Sequence, residues 1–240
     1  MTRGARVLLT RPASEQARSA HLLEMYGYEV VRAPLIRRTW NVDEVCRCAE
    51  EHPSPDTVIV SSALVADILA ACVPTGWGNA RYAAVGPSTA ARLREHGFDV
   101  SVEASQSTMA HLFTTMGDLS DSEVIYPHSE LTPRERIEAL RATGAAVRTV
   151  VAYRNEEPSD AHERVMSALP VDATLLFSSS AARRLARILQ ESSVDALGHV
   201  LALGPSTAET AKQVGLPVDS VARQHNINGL IEDLQRFLPL

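Results

Sequence analysis

Two kinds of hydrophobic pattern alternate along this chain. Short continuous apolar runs, such as Val7-Leu8-Leu9, Thr57-Val58-Ile59-Val60, Val124-Ile125-Tyr126 and Thr174-Leu175-Leu176-Phe177, read as buried strands. Between them lie segments whose apolar positions return every three or four residues, the spacing of a helix with one buried face. The pattern predicts strands at residues 6–10, 28–33, 57–60, 82–85, 99–102, 123–126, 145–152, 174–177 and 199–203. It predicts helices over about 14–26, 41–51, 63–71, 91–97, 108–116, 133–144, 160–169, 181–190, 209–215 and 227–237. Residues 34–41 and 154–158 read as breaks, and Gly27, Gly97, Gly144 and Gly215 as helix stops. Strands that alternate with helices imply parallel βαβ units with right-handed crossovers.

The pattern also repeats. Val85-Gly86-Pro87-Ser88-Thr89-Ala90 returns as Leu203-Gly204-Pro205-Ser206-Thr207-Ala208, an offset of 118 residues with five of six positions identical. Residues 7–9 match 124–126, Gly27 matches Gly144, and Ser61-Ser62 matches Ser178-Ser179, each at an offset of 117. A period this long is a duplicated domain and not a solenoid. The expected fold is therefore α/β: two flavodoxin-like domains, each a parallel sheet with helices on both faces. The order of the units allows two groupings, either a cut near Ser120 or a nested arrangement in which about 39–153 is inserted into the rest. The residues alone leave both open.

The composition, 45% hydrophobic and 22% charged, is that of a soluble globular chain. A net charge of −6 disfavours non-specific nucleic-acid binding, which needs concentrated positive charge. The start, Met1 to Arg6, has no apolar segment behind it and reads as no secretory leader. The most apolar stretch, residues 63–73, is short and carries Asp67, so no membrane span is expected. Three cysteines, Cys46, Cys48 and Cys72, are an odd number without a CxxC pair, which argues against a disulfide framework and fits a reduced cytosol.

The candidate chemistry lies at the turns. Both Gly-Pro-Ser-Thr-Ala copies, and both Ser-Ser pairs, sit where a strand ends and a helix begins. There glycine frees the turn, proline suits the first helical position and hydroxyls can cap exposed amides. A helix N-terminus of this kind accepts anions, and ligands of open α/β sheets sit beyond the carboxyl ends of the strands. Glycine-rich nucleotide loops, zinc-protease helices and the Gly-x-Ser-x-Gly elbow are absent from the sequence. What converges is hydroxyls, helix N-termini, an arginine and a tyrosine, equipment for gripping an anion with several carboxylates.

In the order and spacing of Leu8-Leu9-Thr10-Arg11-Pro12, Val60-Ser61-Ser62-Ala63, Val151-Ala152-Tyr153-Arg154, Phe177-Ser178-Ser179-Ser180 and the two Gly-Pro-Ser-Thr-Ala turns, the chain resembles the uroporphyrinogen-III synthases over essentially its full length. Family members often carry Arg-Gly where this chain has Pro127-His128-Ser129. The resemblance implies the nested topology, residues 1–37 with 155–240 forming one domain and 39–153 the other, joined by a two-stranded linker with the active site in a cleft between them. It implies a cofactor-free and metal-free closure of the linear tetrapyrrole hydroxymethylbilane to uroporphyrinogen III, with ring D inverted through a spiro intermediate and water lost.

By the same resemblance, Tyr153 is expected to hydrogen-bond the departing hydroxyl. Ser88, Thr89, Ser206 and Thr207, with Ser61, Ser62, Ser178 and Ser179, are expected to bind substrate carboxylates, and Arg11 to pair with one. His128, opposite Arg11 in the repeat, is given no prominent role. The expected working form is a monomer, because the sequence shows no symmetric partner surface, and cytoplasmic, as the cysteine usage fits. Transient hand-over of the substrate from the preceding pathway enzyme is expected with it. A rival reading from another class is a non-catalytic two-lobed binding protein for a polycarboxylate tetrapyrrole, which would share the turns but have no need of Tyr153.

Overall fold

The computed structural model describes residues 4–73, 77–78, 80–105, 108–189 and 194–239. The chain divides into two compact units, Met1–Arg37 with Glu156–Leu240, and Arg38–Asn155.

The first unit holds β1 (Arg6–Leu9), α1 (Ala13–Met25) and β2 (Glu29–Arg32), and most of its remaining elements follow residue 156. The second unit holds β3 (Arg37–Trp40, whose first residue lies at the boundary), α2 (Val42–Glu51), β4 (Thr57–Val60), α3 (Ala63–Cys72), β5 (Arg81–Ala84), α4 (Pro87–Glu95), β6 (Val100–Glu103), α5 (Met109–Met116), β7 (Glu123–Ser129), α6 (Arg134–Arg141) and β8 (Ala146–Glu156). The chain then returns through α7 (Ala161–Ala168), β9 (Ala173–Leu176), α8 (Ser179–Ile188), β10 (His199–Ala202), α9 (Pro205–Gln213), β11 (Ser220–Val221) and α10 (Ile227–Phe237). The expected end of the eighth helix at Gln190 lies outside the described residues.

The first sheet runs β11-β10-β9-β1-β2 and the second β3-β8-β7-β4-β5-β6. Numbered by their own chain order, the strands of the first sheet stand 2-1-3-4-5, the flavodoxin order. The second has the same order if β7 and β8 are counted first, with β3 added at its edge. The duplication is thus visible in topology, with the chain entering the second copy part-way through.

Each sheet is buried on both faces. In the first, Val7, Leu9 and Leu175 pack with α1 and α10, while Leu8 and Leu176 pack with α7, α8 and α9. In the second, Val58, Val60 and Ile125 pack with α2, α3 and α4, while Ile59, Val124 and Tyr126 pack with α5 and α6. Burial on both faces is why these strands read as continuous apolar runs.

Four expectations are corrected. Arg37–Trp40 is a strand and not part of a break: it is an exposed edge strand with no apolar alternation, held by pairing, as in the bond from the Asn41 amide to the Ala152 carbonyl (2.8 Å). β7 runs on through Pro127 to Ser129 instead of stopping at Tyr126. Cys46 and Cys72 are joined by a disulfide, against the reading of the odd count; α2 and α3 lie side by side and bring the two Cα atoms to 5.1 Å, leaving Cys48 as the free thiol. Finally, Gly86 (φ −168°) and Gly204 (φ −161°) have extended backbones that any residue could adopt, so glycine is not freeing a left-handed turn there.

Candidate active site

In the second unit, β4 leads into Ser61 and Ser62 at the carboxyl edge. Ser62 caps α3, its Oγ accepting from the Leu64 amide at 3.2 Å. Ser61 Oγ lies 3.4 Å from the hydroxyl of the fully buried Tyr126. One strand over, Gly86 is the N-cap of α4 and Pro87 opens it; no side chain caps the first turn. The expected capping by Ser88 and Thr89 is therefore not made. They sit inside the first turn, Ser88 exposed and Thr89 buried. A glycine cap has no side chain to cover the first amides, and it leaves them available to an outside anion.

Tyr153 stands on β8, beside a bulge. His128 pairs with Val151, but the next residue, Ser129, pairs with Tyr153, so Ala152 is the extra residue. Consecutive strand residues normally point to opposite faces. Here Ala152 and Tyr153 both pack against the core under α2 and α3. Bulges commonly re-aim a side chain beside a functional site, and this one turns the Tyr153 ring. The Tyr153 hydroxyl has no hydrogen bond among the described residues.

The first unit repeats the plan with differences. Ser178 caps α8 by accepting from the Ala181 amide at 3.2 Å. The equivalent of Ser178 at the repeat offset is Ser61, whereas the cap of α3 is Ser62, so the helix begins one residue earlier in this copy. Gly204 is the N-cap of α9, again with no side-chain cap. Ser179 Oγ donates to the Ser206 carbonyl at 3.1 Å, and Thr210 Oγ1 lies 2.9 Å from both Ser179 Oγ and that carbonyl. This triangle ties the starts of α8 and α9 together. Ser206 is exposed and Thr207 buried.

Arg11 follows β1. Its guanidinium bonds Glu15 at 2.6 Å and Ser19 Oγ at 3.1 Å and lies over the Phe177 ring at 4.8 Å. Its Nε is buried and unpartnered among the described residues. Glu15 meets much of its charge, which leaves Arg11 one inward-facing donor short. It also lines a cavity of about 660 Å³ with Ser14, Arg18, His225, Asn226 and Asn228 at the carboxyl edge of this sheet. The sequence-predicted residues therefore fall on two sheet edges: Ser61, Ser62, Ser88, Thr89 and Tyr153 on one, Arg11, Ser178, Ser179, Ser206 and Thr207 on the other.

Each edge gathers two helix N-termini within one sheet. One such terminus contributes about 0.3–1 kcal/mol towards a nearby anion. A substrate with several carboxylates can use several at once, against an overall charge of −6. A family model described as Uroporphyrinogen-III synthase HemD matches residues 17–232. The chain belongs to the uroporphyrinogen-III synthase family.

The wider comparisons agree. A Methanothermobacter thermautotrophicus protein named "Putative uroporphyrinogen-III synthase" is 27% identical over 228 residues, 87% of this chain and 89% of its own length. The solved uroporphyrinogen III synthase of the extreme thermophile Thermus thermophilus, as a triple mutant, has the same fold with a TM-score of 0.68 at 18% identity, covering 98% of this chain and 99% of that one. The Helicobacter pylori enzyme follows with 0.65 at 14% identity, covering 97% and 99%. Identity this low shows the fold alone, and the family model carries the membership.

Sequence reasoning missed Tyr126 and Thr210 and gave His128 no weight. Tyr126 and His128 share a parity on β7, a signal that Pro127 concealed by suggesting the strand had ended. Thr210 gave no signal, because its partners lie on another helix.

Proposed function

We propose that this chain is a uroporphyrinogen-III synthase, a lyase of tetrapyrrole biosynthesis that closes hydroxymethylbilane to uroporphyrinogen III with inversion of ring D and loss of water. The observation that carries the reading is the family match across turns that recur in both units, each leading into a glycine-capped, uncovered helix N-terminus. In this proposal the hydroxyls and amides of Ser61, Ser62, Ser88, Thr89, Ser178, Ser179, Ser206 and Thr207, with Arg11, bind substrate carboxylates at the carboxyl edges of the two sheets. Tyr153 gives its phenolic hydrogen bond to the departing hydroxyl. The closure is a dehydration with no net redox change, so it calls for no redox cofactor. Positioning does most of the work, since bringing the reacting ends together replaces a costly loss of freedom during the reaction.

Among the described residues no helix is long and apolar enough to cross a membrane. A cytoplasmic, monomeric working form, supplied by hand-over from the preceding enzyme, belongs to the same proposal. Tyr153→Phe tests it. Losing one positioned acid should lower kcat by roughly 10²-fold while the affinity for uroporphyrinogen III stays within about threefold. A variant as fast as the parent chain would refute the role of Tyr153, and a parent chain that binds the tetrapyrrole without turning it over would be a binding protein.

A further inference from the structure

β7 ends in an unusual sequence, Tyr126-Pro127-His128-Ser129. Strand alternation places Val124, Tyr126 and His128 on one face, where Val124 and Tyr126 pack under α5 and α6. His128 is the last of the three, at the carboxyl edge, and only 7% exposed. Its Nδ1 lies 2.7 Å from the Ser129 carbonyl oxygen. A carbonyl only accepts, so Nδ1 carries the hydrogen, and in the neutral form of the ring the lone pair is on Nε2. Nε2 has no hydrogen bond among the described residues and is not among their sealed unpartnered atoms, so it keeps some contact with solvent. The imidazole stands 5.4 Å from the Tyr126 ring, and that tyrosine's hydroxyl is the one that meets Ser61.

The backbone ladder between β7 and β4 is incomplete here. The Asp56 amide donates to the Glu123 carbonyl, so the odd-numbered residues of β7 turn their backbone polar groups towards β4. Pro127 belongs to that set and has no N–H to give. Pairing of β7 with β4 stops at Val58 and Ile125, whereas pairing with β8 continues to Ser129. Beyond Ile125 the backbone ladder to β4 is not continued, and the two strands meet there through the Ser61 and Tyr126 side chains. On the other side of His128 lies the bulge that aims Tyr153, one register step away and on the opposite face.

We infer that His128 is a second catalytic residue of the proposed reaction, a general base whose oriented Nε2 takes the proton released as the macrocycle closes. The inference rests on the synthase reading. Tyr153 gives its proton to the hydroxyl as the C–O bond breaks, and water leaves. The carbon left behind is attacked by the substituted α-carbon of ring D, giving the spiro intermediate. The bond from that α-carbon to the bridging carbon between rings C and D then breaks and leaves the bridging carbon electrophilic. In the closing step the unsubstituted α-carbon of ring D bonds to this bridging carbon. The proton that this α-carbon carried passes to Nε2 and restores the aromatic pyrrole. The imidazolium then returns a proton through solvent to the Tyr153 phenolate. The net change is one water lost, with no oxidant or reductant.

The test uses the full chain with His128→Asn and His128→Ala. Asparagine keeps a donor for the Ser129 carbonyl but offers no basic nitrogen; its amide oxygen accepts hydrogen bonds without taking a proton. The expected result for His128→Asn is a kcat for isomer III lower by roughly 10²-fold, with uroporphyrinogen III affinity and melting temperature close to those of the parent. Added imidazole should restore part of the rate of His128→Ala. A His128→Asn chain within about threefold of the parent kcat overturns the inference. So does a loss that imidazole does not relieve and that product affinity shares, because that is the behaviour of a packing residue. A parent chain that yields only isomer I overturns the synthase reading and this inference with it.

Discussion

Thr210→Val isolates the contact that holds the two helix starts of the first unit together. Valine keeps the shape of the buried Thr210 side chain and removes its hydroxyl. Two 2.9 Å contacts go, to the Ser206 carbonyl and to Ser179 Oγ. The Ser206 carbonyl is not stranded, because Ser179 Oγ still donates to it at 3.1 Å. The cost is then about 1 kcal/mol, the net worth of one hydrogen bond, and not the larger penalty of an orphaned buried group. Ser179→Ala removes a different side of the same triangle and should cost a similar amount. Both single changes break the Thr210–Ser179 contact, so the double change loses it only once. It should fall short of the sum by about 0.5–1 kcal/mol, the coupling expected of residues that share partners. Urea unfolding of the four chains measures this; 1 kcal/mol corresponds to about 2–4 °C in Tm for a chain of this size. If the proposed carboxylate turn at Ser206-Thr207 depends on the triangle, KM for the bilane rises more than kcat falls. Single costs below about 0.3 kcal/mol, with a strictly additive double, would refute the reasoning.

Other consequences are as direct. Ser62→Ala and Ser178→Ala each remove an N-cap acceptor (3.2 Å in both) and should cost about 1 kcal/mol by chemical unfolding. Asp67 lies 2.7 Å from His96 and 2.5 Å from Arg92; burial alone would raise its pKa, but the hydrogen bonds from His96 and Arg92 prevail and hold it below the ordinary carboxylate value. A depressed carboxylate pKa stabilises the fold above the unfolded value of about 4, and that stability is lost as pH falls through the lower folded value. Asp67→Asn should therefore flatten the acid side of the stability curve between about pH 5 and 2, seen as urea midpoints against pH. Gly198 has φ +56° and no room: a Cβ there would lie against the Asp172 carbonyl. Gly198→Ala should cost about 1–3 kcal/mol from the left-handed backbone alone, with the clash on top, read as a fall in Tm.

What could be read from the sequence followed from burial. Val58, Ile59 and Val60 are fully buried because both faces of their sheet are covered, and such strands announce themselves as apolar runs. The duplicated turns revealed two equivalent sheet edges for the same reason: a glycine, a proline and two hydroxyls together have a local meaning. β3 could not be read, because Arg37-Arg38-Thr39-Trp40 has no apolar alternation and is a strand only through its neighbour β8. The Cys46–Cys72 bond depends on how α2 packs on α3, which the count of cysteines does not contain. β7 misled through Pro127. A proline argues against a central strand, but this one turns its missing N–H towards β4, where pairing has already ended, and leaves the β8 side intact. The hydroxyls of the two turns were expected to cap; glycine took that position in both, and which serine caps the neighbouring helix shifted by one residue between the copies. Those one-residue shifts decide which hydroxyls are free for a ligand.

Product analysis tests the central claim most directly. The purified chain is given freshly prepared hydroxymethylbilane, the reaction is quenched within seconds and oxidised, and the uroporphyrin isomers are separated. The account predicts mostly isomer III, formed faster than the spontaneous closure and without added cofactor. Isomer I at the rate seen without protein would contradict it.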